Sequence, residues 1–167
     1  EVNDQIREMG IQFLSGPHQT ADIDDLSEGD IVIIPAFGTE VFIREKLEAK
    51  GCQVVDTTCG DVMSVWKRVR TYAKEEVTSI IHGKASHEET MATSSQAIAK
   101  NGHYLVVNTF EEADLVCDYI VNGGDKEALL KRFDGCYSEG FDPDTHLSAV
   151  GVANQTTMMR GETEEVQ

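Results

Sequence analysis

The sequence predicts an α/β fold with mainly parallel sheets. Short apolar runs at 31–34, 53–56, 77–81, 104–107 and 149–153 alternate with longer stretches of helical periodicity. The run Ile31-Val32-Ile33-Ile34 is uninterrupted and β-branched, the pattern of a strand buried on both faces. A polar or glycine turn follows a strand at Phe37-Gly38, Cys59-Gly60, 82–89 and 154–157. In parallel α/β sheets, ligands bind outside the strands' carboxyl ends, so these turns outline a candidate site.

The opening residues are expected to be helical, with Val2, Ile6 and Met9 on one face, and Ile11-Gln12-Phe13-Leu14 can form a short strand. Residues 15–29 are polar and acidic and read as a loop with room for a helical turn. Pro35 to Gly38 break the strand at 31–34; residues 39–50 then read as a helix with Ile43 and Leu47 inward, closed by Gly51. Val62, Val65, Trp66, Val69 and Ala73 form an apolar stripe on the helix after Cys59, which makes Trp66 a core residue. After the strand at 77–81 comes a helix expected to turn Met91, Ala92, Ser95, Ile98 and Ala99 to one side, stopped by Asn101-Gly102. Thr109 and Glu112 have capping-box spacing for a helix burying Ala113, Val116, Cys117 and Ile120, so Cys117 is expected in the core. A short helix around Leu129, Leu130 and Phe133 leads into 135–146, which shows little periodicity and reads as a surface excursion. A further helix is expected to start near Gly161.

Composition limits function. With 167 residues, 40% of them hydrophobic, the chain can bury a core. Fourteen basic residues against thirty acidic ones give a net charge of -16, which argues against nucleic acid and anionic membrane surfaces and offers no patch for an acidic partner. No apolar run reaches membrane-spanning length. Cys52, Cys59, Cys117 and Cys136 show no C-x-x-C pair, the expectation for reduced thiols in a cytosol-like compartment.

Cys59 is the residue placed for chemistry. It projects from a strand's carboxyl end where a helix begins, and a helix N-terminus favours an anion. Thr58 and Asp61 have capping-box spacing for that turn. A buried cysteine serving as a small hydrophobe is the plainer alternative. At neighbouring strand ends stand His82, His87, Glu88 and Glu89, then Asn154, Gln155, Thr156 and Thr157. Together these could supply a soft metal ligand, an imidazole for an anionic group, a carboxyl acid-base group and hydroxyls. Each has a structural alternative: Glu89 as capping partner of Ser86, and Thr156 or Thr157 as caps of the final helix. His18, His103 and His146 sit in polar surroundings and read as solvated. Zinc-ligand spacing, a P-loop and a dinucleotide fingerprint are all missing from the sequence.

Four separated motifs carry a resemblance. They are Val55-Asp56-Thr57-Thr58-Cys59, Ile81-His82-Gly83-Lys84 with Ser86-His87-Glu88-Glu89-Thr90, Ser138-Glu139-Gly140-Phe141-Asp142-Pro143-Asp144, and Asn154-Gln155-Thr156-Thr157-Met158 with Gly161-Glu162-Thr163-Glu164-Glu165. In that order they resemble the 4-hydroxy-3-methylbut-2-enyl diphosphate reductase family, most closely its plant and cyanobacterial branch.

The resemblance implies an iron–sulfur enzyme of three similar parallel-sheet α/β modules with flanking helices, arranged around a central cluster. Residues 1–58 would be the C-terminal part of the first module, 59–155 the second, and 156–167 the start of the third. In that family three cysteines hold a [4Fe–4S] cluster, and an allylic diphosphate gains two electrons and two protons and loses its hydroxyl as water. Carried over, Cys59 matches the second cluster cysteine, His87 a contact to the substrate diphosphate, Glu89 the proton-supplying acid, and Thr156 a threonine near the substrate hydroxyl. A thiolate at a helix N-terminus suits iron–sulfur ligation, and a carboxyl beside a diphosphate in a dry pocket is a competent proton donor. A ferredoxin or flavodoxin-type electron donor is implied, with a cytoplasmic location, or the plastid stroma for a plant or alga. The chain departs from the family pattern in places. Its other two cluster cysteines have no match and are expected outside the chain, Phe37 stands where many bacterial members carry a histidine, and Gly60-Asp61 replaces a proline-containing turn. The chain therefore reads as an internal fragment, inactive by itself. The competing reading is a cluster-free α/β module derived from the family that binds a phosphate-containing ligand or serves as a scaffold.

Overall fold

The computed structural model describes residues 2–158. A short helix α1 (Val2–Glu8) and a 3₁₀ turn (Ile23–Asp25) precede strand β1 (Ile31–Ile34). Then follow α2 (Val41–Ala49), β2 (Gln53–Asp56), α3 (Gly60–Lys74), β3 (Thr78–His82), α4 (Glu88–Ile98) and β4 (Tyr104–Val107). The described chain closes with α5 (Phe110–Asn122), α6 (Lys126–Arg132), α7 (Pro143–His146) and β5 (Val150–Asn154). The helix expected from Gly161, and most of the expected third-module start, lie outside the described residues.

The strands form two separate parallel sheets. β1 pairs with β2, Ile34 opposite Asp56, and the second sheet has the order β4-β3-β5 with His82 between Val107 and Asn154. The carboxyl ends of β3, β4 and β5 therefore share one edge. All five residues of the central strand β3 are buried.

Helices cover both faces of the second sheet. On one, Ile80, Leu105 and Val107 pack with Ala113 and Val116 of α5, Leu129 of α6, and Phe133, Phe141 and Leu147. Replacing Phe133 by Ala would cost about 3–5 kcal/mol, as for other buried aromatics. On the other, α3 and α4 bring Val69 and Ala97 against Ala153. β5 is made of small residues because the Tyr72 ring lies on it: a Cβ at Gly151 would stand 2.5 Å from that ring.

Several expectations are corrected. Residues 11–14 form no strand: Phe13 instead bonds with Thr20, its carbonyl accepting from the Thr20 N–H at 2.8 Å, and closes a loop. Met9 lies beyond α1 and is exposed. β1 is buried on one face only, with Val32 and Ile34 inside and Ile31 and Ile33 exposed. On α4 the buried residues include Thr90, Thr93, Ser94 and Gln96, whereas Met91 and Ile98 are exposed. Cys117 and Ile120 are exposed, because α5 turns Ala113 and Val116 to the sheet. Residues 135–146 are no surface excursion, since Phe141 belongs to the largest apolar cluster and Cys136 and Tyr137 pack against it. His103 and His146 stack with ring centroids 3.7 Å apart, and His103 Nδ1 lies 2.8 Å from Ser138 Oγ, so these two rings are not simply solvated.

Candidate active site

The Cys59 turn is built by Asp56, the last residue of β2. Its Oδ1 accepts from the Thr58 N–H at 2.9 Å and the Thr58 hydroxyl at 2.6 Å, and Oδ2 pairs with the Arg44 guanidinium. Burial raises the Asp56 pKa, but these three donors outweigh it and leave it below the usual carboxylate value. The Thr57 N–H donates to Ile34 O and the Cys59 N–H to Ala36 O, fastening the turn to the end of β1. The expected Thr58–Asp61 capping box does not form. Thr58 is committed to Asp56, and Cys59 itself is the N-cap of α3, without a side-chain cap hydrogen bond. Gly38 is required beside it: its φ is +83°, and a Cβ there would stand 2.3 Å from the Trp66 ring.

The start of α4 also differs from the capping expectation by one residue. His87, not Ser86, is the N-cap, with Nδ1 accepting from the Glu89 N–H at 3.2 Å. A neutral ring accepting at Nδ1 carries its proton on Nε2, which leaves Nε2–H as a donor for an anion. The Glu89 side chain is thus free of capping. It is 2% exposed, and Oε1 accepts from the backbone N–H of Thr156 at 2.5 Å. His82, by contrast, is buried, and its carbonyl accepts from the Gln155 N–H at 2.8 Å.

Two helices carry Cys59 toward this cluster. The Trp66 indole donates to Thr93 Oγ1 at 3.2 Å, Arg70 donates to Gln96 Oε1 at 2.8 Å, and Val69 shares a cluster with Ala97. Partners rise together along both helices at an offset of 26 to 28 residues, so α3 and α4 lie side by side and parallel. Carried back, that offset brings Cys59 level with Ser86 and His87. Cys59 packs against the cluster that Val62 and Trp66 of α3 form with Ala92 of α4. His87, Glu89 and Thr156 are thus joined by hydrogen bonds, whereas Cys59 follows β2 of the separate two-stranded sheet and is related to them through the α3–α4 pair.

Two cavities lie nearby. One of about 250 Å³ is lined by Asp56, Thr58, Trp66 and Arg70, among others. Another of about 360 Å³ has Glu40, Phe42, Met91 and Tyr104 in its wall. Neither is lined by Cys59, His87, Glu89 or Thr156. Among the described residues no group of three or more His, Cys, Asp or Glu is placed to hold a metal. A [4Fe–4S] cluster takes a set of cysteine thiolates; Cys59 fits one position of such a set, and the described residues do not supply the rest. The four cysteines are free. Against the acidic surface α3 is an exception, carrying Lys67, Arg68, Arg70 and Lys74 against Asp61.

Thr90 and Gln155, quoted in the motifs but given no individual role by the sequence, are both buried here. Gln155 stands inside the polar turn after β5, but nothing in spacing marks Thr90.

Parallel strands packed with helices, with polar turns at the carboxyl ends of the strands, define an α/β protein. A family model described as LytB protein matches residues 1–167, and the chain belongs to that family. It is 51% identical over 165 residues to the 4-hydroxy-3-methylbut-2-enyl diphosphate reductases of Parasynechococcus marenigrum (strain WH8102) and Gloeothece citriformis (strain PCC 7424). Those matches cover 99% of this chain and 40% of each relative, so the chain spans less than half their length. In fold it is similar to a solved (E)-4-hydroxy-3-methyl-but-2-enyl diphosphate reductase, with a TM-score of 0.58 at 22% identity over 90% of this chain and 51% of that one. The corresponding reductase of Plasmodium falciparum gives a TM-score of 0.62 at 22% identity, covering 89% and 37%. At that identity the likeness concerns the fold alone. Among the described residues no helix is long and apolar enough to cross a membrane.

Proposed function

We propose that this chain is part of a longer 4-hydroxy-3-methylbut-2-enyl diphosphate reductase and supplies one cluster ligand and the proton-delivery side of its active site. The observation that carries the reading is the buried Glu89 carboxyl held by the Thr156 N–H, with Cys59 capping the neighbouring helix α3. Residues 1–58 are assigned to a first module, 59–155 to a second and 156–167 to the start of a third, a division supported by the two separate sheets. Cys59 would be one of three cysteine ligands of a [4Fe–4S] cluster, the other two belonging to the rest of the full-length protein. When bound, the cluster supplies the two electrons that, with two protons, replace the allylic C–O bond by C–H and release water.

The residues of this chain do the rest. His87 donates from Nε2 to the substrate diphosphate, since its Nδ1 is already used by the Glu89 N–H. Glu89 gives a proton toward the leaving hydroxyl. Thr156 holds Glu89 through its backbone N–H, and its side-chain hydroxyl would pass the proton on. Electrons would arrive from an acidic ferredoxin- or flavodoxin-type donor in the cytoplasm, for which the basic residues of α3, beginning next to Cys59, are a favourable approach. The chain alone, with one ligand, is expected to be inactive.

Anaerobic reconstitution of the full-length protein and its Cys59→Ser variant tests the assignment through iron content and optical and paramagnetic spectra. The variant should lose most of the cluster signal. Equal cluster content in both proteins would remove Cys59 from the ligand set, and no cluster in either would favour a cluster-free phosphate-binding or scaffold module instead.

A further inference from the structure

The Glu89–Thr156 hydrogen bond has a second connection beside it, made by residues next to each partner. Thr90 follows Glu89 on α4, and its hydroxyl donates to Gln155 Oε1 at 3.1 Å. Gln155 precedes Thr156 and is 5% exposed, while Thr90 is 1% exposed. The same Gln155 Oε1 accepts from the Lys84 N–H at 3.2 Å, and Nε2 donates to Thr157 Oγ1 at 2.5 Å. The Gln155 N–H donates to His82 O at 2.8 Å, and its carbonyl accepts from the Met158 N–H at 3.1 Å. One side chain therefore joins the loop after β3, the first turn of α4 and the turn after β5. Gly83 leaves the room: a Cβ there would stand 2.8 Å from Thr90 Oγ1 and 2.9 Å from Gln155 Cβ.

We propose that Gln155, held by Thr90, is the positioning residue that fixes the Thr156 backbone and hydroxyl relative to the Glu89 carboxyl, and so sets the geometry of proton delivery. The inference rests on the reading of Glu89 as proton donor. Gln155 itself touches no reacting atom in this scheme. Both Oε1 lone pairs of the side chain are used, and one of its two amide N–H donors is committed to Thr157, so its role here is to tie these turns together. Its loss would loosen the turn that carries Thr156, and misplacement of a reacting group on the order of an ångström lowers turnover steeply.

The test uses the full-length reconstituted enzyme. Gln155→Met keeps the length of the side chain and removes every side-chain hydrogen bond; Thr90→Val removes only the hydroxyl donor; Thr90→Ser restores that donor. Glu89→Gln is run beside them. For Gln155→Met and Thr90→Val, kcat should fall about tenfold or more while KM stays within about twofold and the cluster spectrum is unchanged. Thr90→Ser should recover kcat to within about threefold of wild type. If Gln155→Met does not fold, Thr90→Val and Thr90→Ser decide. Wild-type kcat in Thr90→Val or Gln155→Met, with Glu89→Gln inactive, would overturn this inference and leave the functional reading standing. A kcat loss that follows cluster content, or that Thr90→Ser does not rescue, would also overturn it. Wild-type kcat in Glu89→Gln would instead remove the functional reading on which it rests.

Discussion

Glu89 Oε1 and the Thr156 backbone N–H lie 2.5 Å apart, joining the first turn of α4 to the turn after β5 across 67 residues of sequence. The carboxyl is 2% exposed, and it has no ion-pair partner among the described residues. Burying such a group with a backbone donor is costly for stability, so its retention is better explained by chemistry.

Asp56 should act as the support of the Cys59 turn. Asp56→Ala removes the acceptor for the Thr58 N–H and hydroxyl and the partner of Arg44, and should cost about 2 kcal/mol in urea unfolding, within the range for charge-assisted bonds. Because the folded state holds Asp56 below its ordinary value, the stability it gives is complete above about pH 4 and is lost as pH falls through the lower folded value. The variant should lack that acid-side loss.

Gly83 and Gly60 should respond oppositely to alanine. A Cβ at Gly83 would collide with Thr90 and Gln155, whereas one at Gly60 meets nothing within 4 Å. Gly83→Ala should therefore destabilise by about 1–3 kcal/mol, from overpacking. Gly60→Ala, at the first turn of α3, should stabilise by up to about 1 kcal/mol. Thermal unfolding of the two variants checks both signs.

The stacked pair His103 and His146 should make the protein acid-sensitive. Partial burial, and then His146, push the His103 ring below its ordinary value, so the folded state favours the neutral ring. The unfolded chain takes up that proton first, at about pH 6.5, so stability is full above that pH and declines as pH falls toward the folded value. His103→Phe should flatten the dependence of the unfolding midpoint between pH 7.5 and 5.5.

The strands and most helices were legible because apolar runs and helical stripes depend on local sequence: Val62, Trp66, Val69 and Ala73 are buried as their spacing requires. α4 was misread because its environment is polar. It is wedged where Trp66 reaches Thr93, Arg70 reaches Gln96 and the Val41 N–H reaches Ser95, and hydrogen-bonded burial of this kind leaves no trace in hydrophobic periodicity. Phe141 and Leu147 escaped notice because they enter the core singly, beside short and weakly periodic chain. The site was legible as a set of strand-end turns, and motif resemblance singled out Cys59, His87, Glu89 and Thr156. The bonds that relate them were not, since Thr58–Asp61 and Ser86–Glu89 both had capping spacing that the fold does not use.

The measurement that bears most directly on the account is turnover of 4-hydroxy-3-methylbut-2-enyl diphosphate by the reconstituted full-length Glu89→Gln variant under reducing, anaerobic conditions. With the cluster spectrum unchanged, kcat should fall by about 10²–10⁴, the range associated with loss of a general acid. Turnover within about twofold of wild type would contradict the assignment of Glu89 as the proton donor.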